Sequence, residues 1–367
     1  MSSFSLPLRQ HVPLAPLTTL ELGGEARFFL DAERESDIVE ALSWAAAQGY
    51  PVALLGGGSN VVVADAGFPG LVVHLATRGI EVATRPEEVL LTVAAGEPWD
   101  DVVARAVAEG WAGIECLSGI PGTTGATPIQ NVGAYGQEIS EVLREVRALD
   151  RLTLTITTLS PGELSLSYRT SLLKRHPGRY VVLSVTLALT PGGAPTLAYP
   201  ELASALAPRR HAPELRHVRD AVLELRRSKS MLADPHDPNR RSAGSFFVNP
   251  LLSPQAARQV AERAAAAGYL DRPEDLPCFP GPAGLVKIPA AWLVERAGFA
   301  RGFRRGAVGV SPRHALALVH YGGGSAAELL ALASDILAAV QQRFGLTLAT
   351  EPTRLDGSPL LPLPAPT

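Results

Sequence analysis

Two glycine-dense segments stand out for the chemistry they could support. Gly56-Gly57-Gly58-Ser59-Asn60 follows the apolar run Pro51 to Leu55, which reads as a buried strand. Glycine lets a backbone turn sharply and bring its N–H groups against a phosphate. A Rossmann fingerprint must open a helix whose N-terminus faces the pyrophosphate. Here Val61-Val62-Val63 follows and favours a strand, and the Lys-Ser/Thr ending of a P-loop is missing. Alone, a triple glycine also fits a plain turn. The second segment is Gly119-Ile120-Pro121-Gly122-Thr123-Thr124-Gly125-Ala126-Thr127-Pro128-Ile129-Gln130-Asn131-Val132-Gly133-Ala134-Tyr135-Gly136. It holds five glycines and two prolines, with Thr123, Thr124, Gln130 and Asn131 set between them. A stiff loop dense in backbone N–H groups suits a long diphosphate ligand such as FAD. An elaborate surface loop accounts less well for its length and polar interleaving.

The elements that must carry these loops can be read from patterning. Ser36 reads as the cap of a helix with Ile38, Val39, Leu42 and Ala46 on its apolar face, stopped by Gly49. Further strands are expected at Val61–Val63, Leu71–Val73 and Val89–Val93. Pro98 opens a helix that Gly110 ends. A β-rich stretch runs from Val142 to Leu189, with alternation clearest over Val181 to Leu189. Proline, glycine and alanine accumulate between Thr190 and Pro213, where a domain boundary is expected. Beyond it, Ser253-Pro254 starts a helix ended by Gly268, and Ser325 to Glu328 forms a capping box for a helix to about Phe344. Leu346–Ala349 reads as a strand, and the proline-rich tail after Asp356 as loose. The separated helix and strand stretches argue an α+β fold.

The chain has 367 residues and a formal net charge of −3, which leaves no basic footprint for nucleic acid. Its two cysteines, Cys116 and Cys278, lie far apart, which argues against a disulfide framework or a four-cysteine zinc site. No histidine pattern has metal-ligand spacing: His211 and His217 lack an H-E-x-x-H arrangement, and no required metal is expected. Met1 to Pro16 does not read as a signal peptide, and no apolar run is long enough to span a bilayer. A reducing, cytoplasmic compartment is the expectation.

The two loops resemble those of the vanillyl-alcohol-oxidase-like flavoenzymes. More narrowly, I-P-G-x-x-G-x-x-P-I-Q-N-x-G-A-Y-G resembles the UDP-N-acetylenolpyruvoylglucosamine reductase family. The likeness continues, in the family's order, through Tyr168-Arg169, Ala243-Gly244-Ser245-Phe246-Phe247-Val248-Asn249-Pro250 and Glu351-Pro352. One departure is Thr18-Thr19, where the family usually has Asn-Thr. The resemblance implies an FAD-binding domain in two subdomains over residues 1–190 and an α+β substrate-binding domain over 191–356, with a flexible tail over 357–367. It implies FAD held by the two loops, NADPH as reductant, UDP-N-acetylglucosamine enolpyruvate as substrate, no nucleic-acid or membrane partner, and a monomer.

The resemblance also implies roles for single residues. Arg169 would bind and polarise the substrate carboxylate, Ser245 would protonate the α-carbon, and Glu351, protonated, would donate a hydrogen bond to the growing charge. Residue type alone leaves these as a surface arginine, a loop serine and an acid at a strand end. Lys229 would meet the substrate phosphates and Tyr199 would close over the substrate, with Asn249 and Lys287 as further contacts. Arg226, Arg227, Arg240 and Arg241 flank the approach to Ser245, or form a solvated face. His314 reads first as structural. Two other functions stay open on the same flavin domain: a sugar or alcohol oxidase, and a binding protein without turnover. Many such oxidases tether FAD through a histidine near the loops. The chain has none between His74 and His176, which argues against that variant. The arginine, serine and glutamate at all three motif positions argue against the binding protein.

Overall fold

The computed structural model describes residues 6–208 and 211–361. Its first sheet has four strands in the order Arg9–Pro13, Glu25–Ala32, Phe68–Leu75, Val52–Leu55. The first pair is antiparallel and the other two are parallel. The crossover helix Glu35–Gln48 buries Ile38, Ala41, Leu42 and Ala45 with Leu71 and Val73 of that sheet. Its cap is Arg34 rather than Ser36. Asp37 at the third helical position accepts the Arg34 N–H at 2.9 Å and Arg34 Nε at 3.1 Å, so the helix starts ahead of the serine. Gly49 ends it at φ 70°, as expected.

The second sheet runs Thr155–Leu159, Leu143–Asp150, Tyr180–Pro191, Val89–Ala94, Ile80–Thr84, all antiparallel, and Trp111–Ala112 extends the long strand's end. Helix Trp99–Ala108 packs Trp99, Val102, Val103 and Ala106 into the core over this sheet. The expected β-rich stretch is interrupted by two single-turn helices, Pro161–Leu164 and Leu172–Arg175. Each is capped by a serine, Ser160 and Ser171, whose hydroxyl accepts the N–H three residues on. The link between them carries Tyr168 and Arg169.

The proline-rich region expected as a boundary also contains structure. Helix Pro200–Leu206 lies there, helix Leu215–Ser228 follows it, and Leu202, Leu206, Val218 and Val222 bury together with Cys116. The C-terminal part is an antiparallel sheet ordered Ser242–Ser245, Ala317–His320, Val308–Val310, Arg304–Arg305. Its core is completed by helices Pro254–Ala266, Ala290–Arg296 and Ala326–Phe344, and it also takes in Leu20, Leu22 and Val62 from the N-terminal half. Ser253 and Ser325 cap their helices as expected. The mixture of separate helical and strand regions is α+β.

Leu346–Ala349 is not a strand. Only single contacts form there: Val248 N–H donates to Ala349 O at 2.9 Å, and Phe247 bridges Thr350. The next pairing is parallel, between Thr353–Arg354 and Val61–Val62. The segment after Asp356 turns back: Arg354 N–H donates to Ser358 O at 2.9 Å, and Leu360 is buried in the C-terminal core. Residues 362–367 of the expected tail lie outside the described residues.

Candidate active site

The two glycine loops touch. A Cβ on Gly57 would sit 2.6 Å from Gly122 Cα, and one on Gly56 would sit 2.6 Å from Thr123 Oγ1, so this approach needs residues without side chains. Ser59 Oγ donates to Pro121 O at 3.0 Å. Gly58 adopts φ 62°, and its carbonyl accepts the Thr19 N–H at 3.0 Å. Thr19 Oγ1 donates to Ser242 O at 2.7 Å, joining this loop to the Ser245 strand. At the position where the family usually has Asn, Thr18 Oγ1 donates locally to Ala15 O at 3.2 Å.

The second loop leads into a compact polar cluster. Gln130 Nε2 donates to Glu351 Oε1 at 3.0 Å, while Gln130 Oε1 accepts from Asn60 Nδ2 at 3.2 Å. Asn60 Nδ2 also reaches Glu351 O at 3.3 Å. Arg169 Nε lies 3.5 Å from Glu351 Oε1, with both side chains largely buried. The guanidinium is aimed by Gly133 O, which accepts from Nη2 at 2.7 Å. Glu351 N–H donates to Phe246 O at 2.9 Å, so the glutamate runs beside the Ser245 strand. Arg169, Ser245 and Glu351, expected together, are brought to one region from three segments distant in sequence.

Ser245 has an unanticipated partner. His314 Nε2 stands 3.2 Å from Ser245 Oγ, and His314 Nδ1 accepts the Leu316 N–H at 3.3 Å. Burial pushes the His314 pKa down to about 4, helped by the positive charges of Lys229 and Arg226. The ring is neutral near pH 7, and with Nδ1 accepting, its proton sits on Nε2. The imidazole therefore donates to Oγ.

The remaining candidates form two groups. Tyr168 packs beside Arg169, with Lys287 Nζ 5.6 Å from its ring centroid and a hydrogen bond to Asn249; its phenol pKa is raised, chiefly by burial. Asn249 Oδ1 accepts the Ala290 N–H at 2.8 Å, so part of its role is to start a helix. On the other side, Tyr199 meets Tyr135 edge-on at 5.5 Å, and Lys229 Nζ lies 5.7 Å from the Tyr135 centroid and 2.6 Å from Glu201 Oε2. Burial drives the Tyr135 pKa up to about 12, so that phenol stays protonated. Tyr199 itself is exposed.

Several expected contacts are used by the protein itself. The buried Asn131 donates to Glu138 Oε2 at 2.7 Å and accepts the Ser140 N–H at 3.0 Å, which fixes the loop's shape. Arg226 is buried and donates to Gly119 O at 3.0 Å and Met231 O at 2.9 Å. Arg227 pairs with Glu224, and both Arg240 and Arg241 pair with Glu21. Lys174 was not anticipated at all: its ammonium meets Arg169 O at 3.1 Å and Gln130 Oε1 at 3.5 Å. Nothing in its residue type or spacing marked it.

The residues present fit an anionic dinucleotide. An open cavity of about 300 Å³ is bounded by Pro16–Thr19, Gly56, Gly57 and His74, with proline, leucine and threonine side chains and glycine backbone but no carboxylate in its lining. His74 is oriented by Asp31, whose Oδ1 is 2.7 Å from Nδ1. No cluster of three metal-binding side chains occurs among the described residues.

Residues 26–158 match the family described as FAD binding domain, and residues 235–355 match the family described as UDP-N-acetylenolpyruvoylglucosamine reductase, C-terminal domain. The chain is 46% identical over 343 residues to the UDP-N-acetylenolpyruvoylglucosamine reductase of Streptomyces coelicolor, covering 93% of this chain and 88% of that one. It is 45% identical over 349 residues to the protein of the same name from Thermobifida fusca, covering 94% and 97%. Its fold is similar to the crystal structure of UDP-N-acetylenolpyruvylglucosamine reductase from Thermus caldophilus, with a TM-score of 0.63 and 23% identity over 95% of this chain and 98% of that one.

Proposed function

The chain belongs to the UDP-N-acetylenolpyruvoylglucosamine reductase family, and from that premise we infer that it reduces the enolpyruvyl ether of UDP-N-acetylglucosamine to the lactyl ether, UDP-N-acetylmuramate, for peptidoglycan synthesis. It is an FAD-dependent oxidoreductase that draws its electrons from NADPH. The observation that carries the residue assignment is the approach of Arg169 Nε to Glu351 Oε1 at 3.5 Å, beside the strand that presents Ser245.

Held against the two loops and reduced by NADPH, the flavin would supply the hydride for the substrate's β-carbon. Gly56 to Asn60 and Gly119 to Gly136 would hold it, mainly through backbone groups, since Asn131 and Gln130 spend their side chains within the protein. Arg169 offers a planar guanidinium to the enolpyruvyl carboxylate. Glu351, held at Oε1 by Gln130, acts in its carboxylic-acid form and donates its O–H to the charge that builds there. Ser245 then gives its proton to the α-carbon: the Oγ–H bond breaks as the C–H bond forms. Because His314 Nε2–H donates to Oγ, the serine's own hydrogen stays free for the substrate, and the same donor steadies the negative charge left on oxygen. Lys229 and Tyr199 serve the diphosphate side, while Asn249 and Lys287 act next to Tyr168. The enzyme works as a monomer in the cytoplasm, where nucleotide sugars and NADPH are found. Among the described residues no helix is long and apolar enough to cross a membrane.

The test is a two-step flavin experiment. The purified, FAD-loaded protein is reduced anaerobically with NADPH, then mixed with UDP-N-acetylglucosamine enolpyruvate. Rapid reoxidation with formation of the lactyl ether is the expected result. Reoxidation by oxygen alone would point to an oxidase instead.

A further inference from the structure

We propose that Lys174 is a positioning residue for both Arg169 and Glu351, its ammonium holding the arginine's backbone carbonyl and one end of the amide that grips the glutamate. The proposal rests on the reductase reading given above.

Gln130 is held in one orientation. An amide has donors at one end and acceptors at the other, and which end faces which partner is set by the surrounding hydrogen bonds. Here one end meets two donors, Asn60 Nδ2 at 3.2 Å and Lys174 Nζ at 3.5 Å. That end must be the oxygen. The amide nitrogen is thereby turned to Glu351 Oε1, 3.0 Å away. An ammonium can only donate, so it forbids the reversed amide more firmly than the ambivalent Asn60 side chain can.

Arg169 is held in a strained turn. Its φ of 55° lies in the left-handed region that residues with a Cβ rarely adopt. Reciprocal backbone bonds between Ser167 and Thr170, each 3.1 Å, bracket the turn, and Lys174 Nζ fastens the Arg169 carbonyl at 3.1 Å. The lysine is itself fixed to the second glycine loop. Its N–H donates to Ser171 Oγ at 3.1 Å, and that hydroxyl donates to Ile129 O at 2.5 Å, next to Gln130. Burial most strongly, and Arg169 beside it, pull the Lys174 pKa below the ordinary lysine value. A half-buried cation beside another cation is poor economy for stability alone, which favours a role in the site.

The test compares FAD-loaded wild type with Lys174→Met, Lys174→Gln and Lys174→Arg. Methionine keeps most of the stem without charge or donor, glutamine is a neutral donor of shorter reach, and arginine restores a cation. Reduction of FAD by NADPH should stay within about twofold of wild type in all of them, because that step does not use the substrate carboxylate. Reoxidation at saturating sugar nucleotide should slow by about 10²-fold in Lys174→Met, the scale of a misplaced reacting group, with Lys174→Arg recovering about tenfold of it. Calorimetric binding of UDP-N-acetylmuramate, read without turnover, should weaken in the methionine variant. Wild-type reoxidation in Lys174→Met would overturn the proposal. So would an arginine variant no better than methionine, or joint loss of flavin and of both half-reactions in the methionine and glutamine variants, which marks a purely structural lysine. A wild-type enzyme that the sugar nucleotide does not reoxidise would overturn the reductase reading and this proposal with it.

Discussion

At Ser245 and His314 one hydrogen bond of 3.2 Å joins the proposed proton donor to the imidazole that would orient it. Replacing Ser245 with alanine should leave NADPH reduction of the flavin intact while the sugar-nucleotide step falls by about 10²–10⁴-fold, the usual worth of a positioned acid. Rapid-mixing absorbance separates the two steps, and equal loss in both would remove the serine from this role. His314 has a second consequence, for acid stability. Its folded pKa of about 4 lies below its ordinary value of 6.5, so between those limits the unfolded chain binds a proton that the native state does not. Stability is therefore present above pH 6.5 and declines as pH falls towards 4, by about 3 kcal/mol from this group alone. His314→Gln should flatten that decline in urea unfolding at pH 7 and pH 4.5; an equally steep decline would count against it. At this scale the sequence spoke only through motifs. Arg169, Ser245 and Glu351 came into view from the company they keep. Lys174 stayed hidden, and His314 was read as structural rather than as the partner of Ser245, because each acts through a contact that no helical or strand period relates to its partner.

Among the elements, the meeting of the two glycine loops is the feature most open to attack. Gly57→Ala would put a Cβ 2.6 Å from the Gly122 Cα, where backbone must yield. The expected cost is about 1–3 kcal/mol of overpacking, together with reduced FAD retention, checked by denaturant unfolding and by the flavin absorbance of the purified protein. The glycines were readable as sites of backbone approach to a phosphate; that they also let one loop lie against the other was not. Elements with clean signals were legible. Val89–Ala94 forms the strand its apolar run predicts, buried at every second residue, and Ser253 and Ser325 cap the helices expected of them. Helix Leu215–Ser228 was missed because its polar face is crowded with arginine beside a proline-rich stretch. Leu346–Ala349 was overread: a short apolar run had its backbone partners only in isolated contacts.

For the molecule as a whole, the α+β class and the order of its parts were legible, because they depend on runs of residues rather than on single contacts. The closing segment was not. Composition suggested a loose tail after Asp356, yet Leu360 is 1% exposed within the C-terminal core. Leu360→Ala should therefore cost about 2–5 kcal/mol, as for other buried leucines. Thermal or urea unfolding would show it, and an unchanged midpoint would mean that the segment is not held. Beside it, Thr353–Arg354 pairs with Val61–Val62 and carries Glu351 to Gln130 and Arg169. That pairing closes one of the longest loops in the chain, and contacts of such separation form late because the intervening chain must first be confined. Refolding should consequently show an interval in which the separate cores are already protected from hydrogen exchange while turnover has not yet returned. Glu351, the proposed catalytic glutamate, would then report, by its arrival, that everything before it is in place.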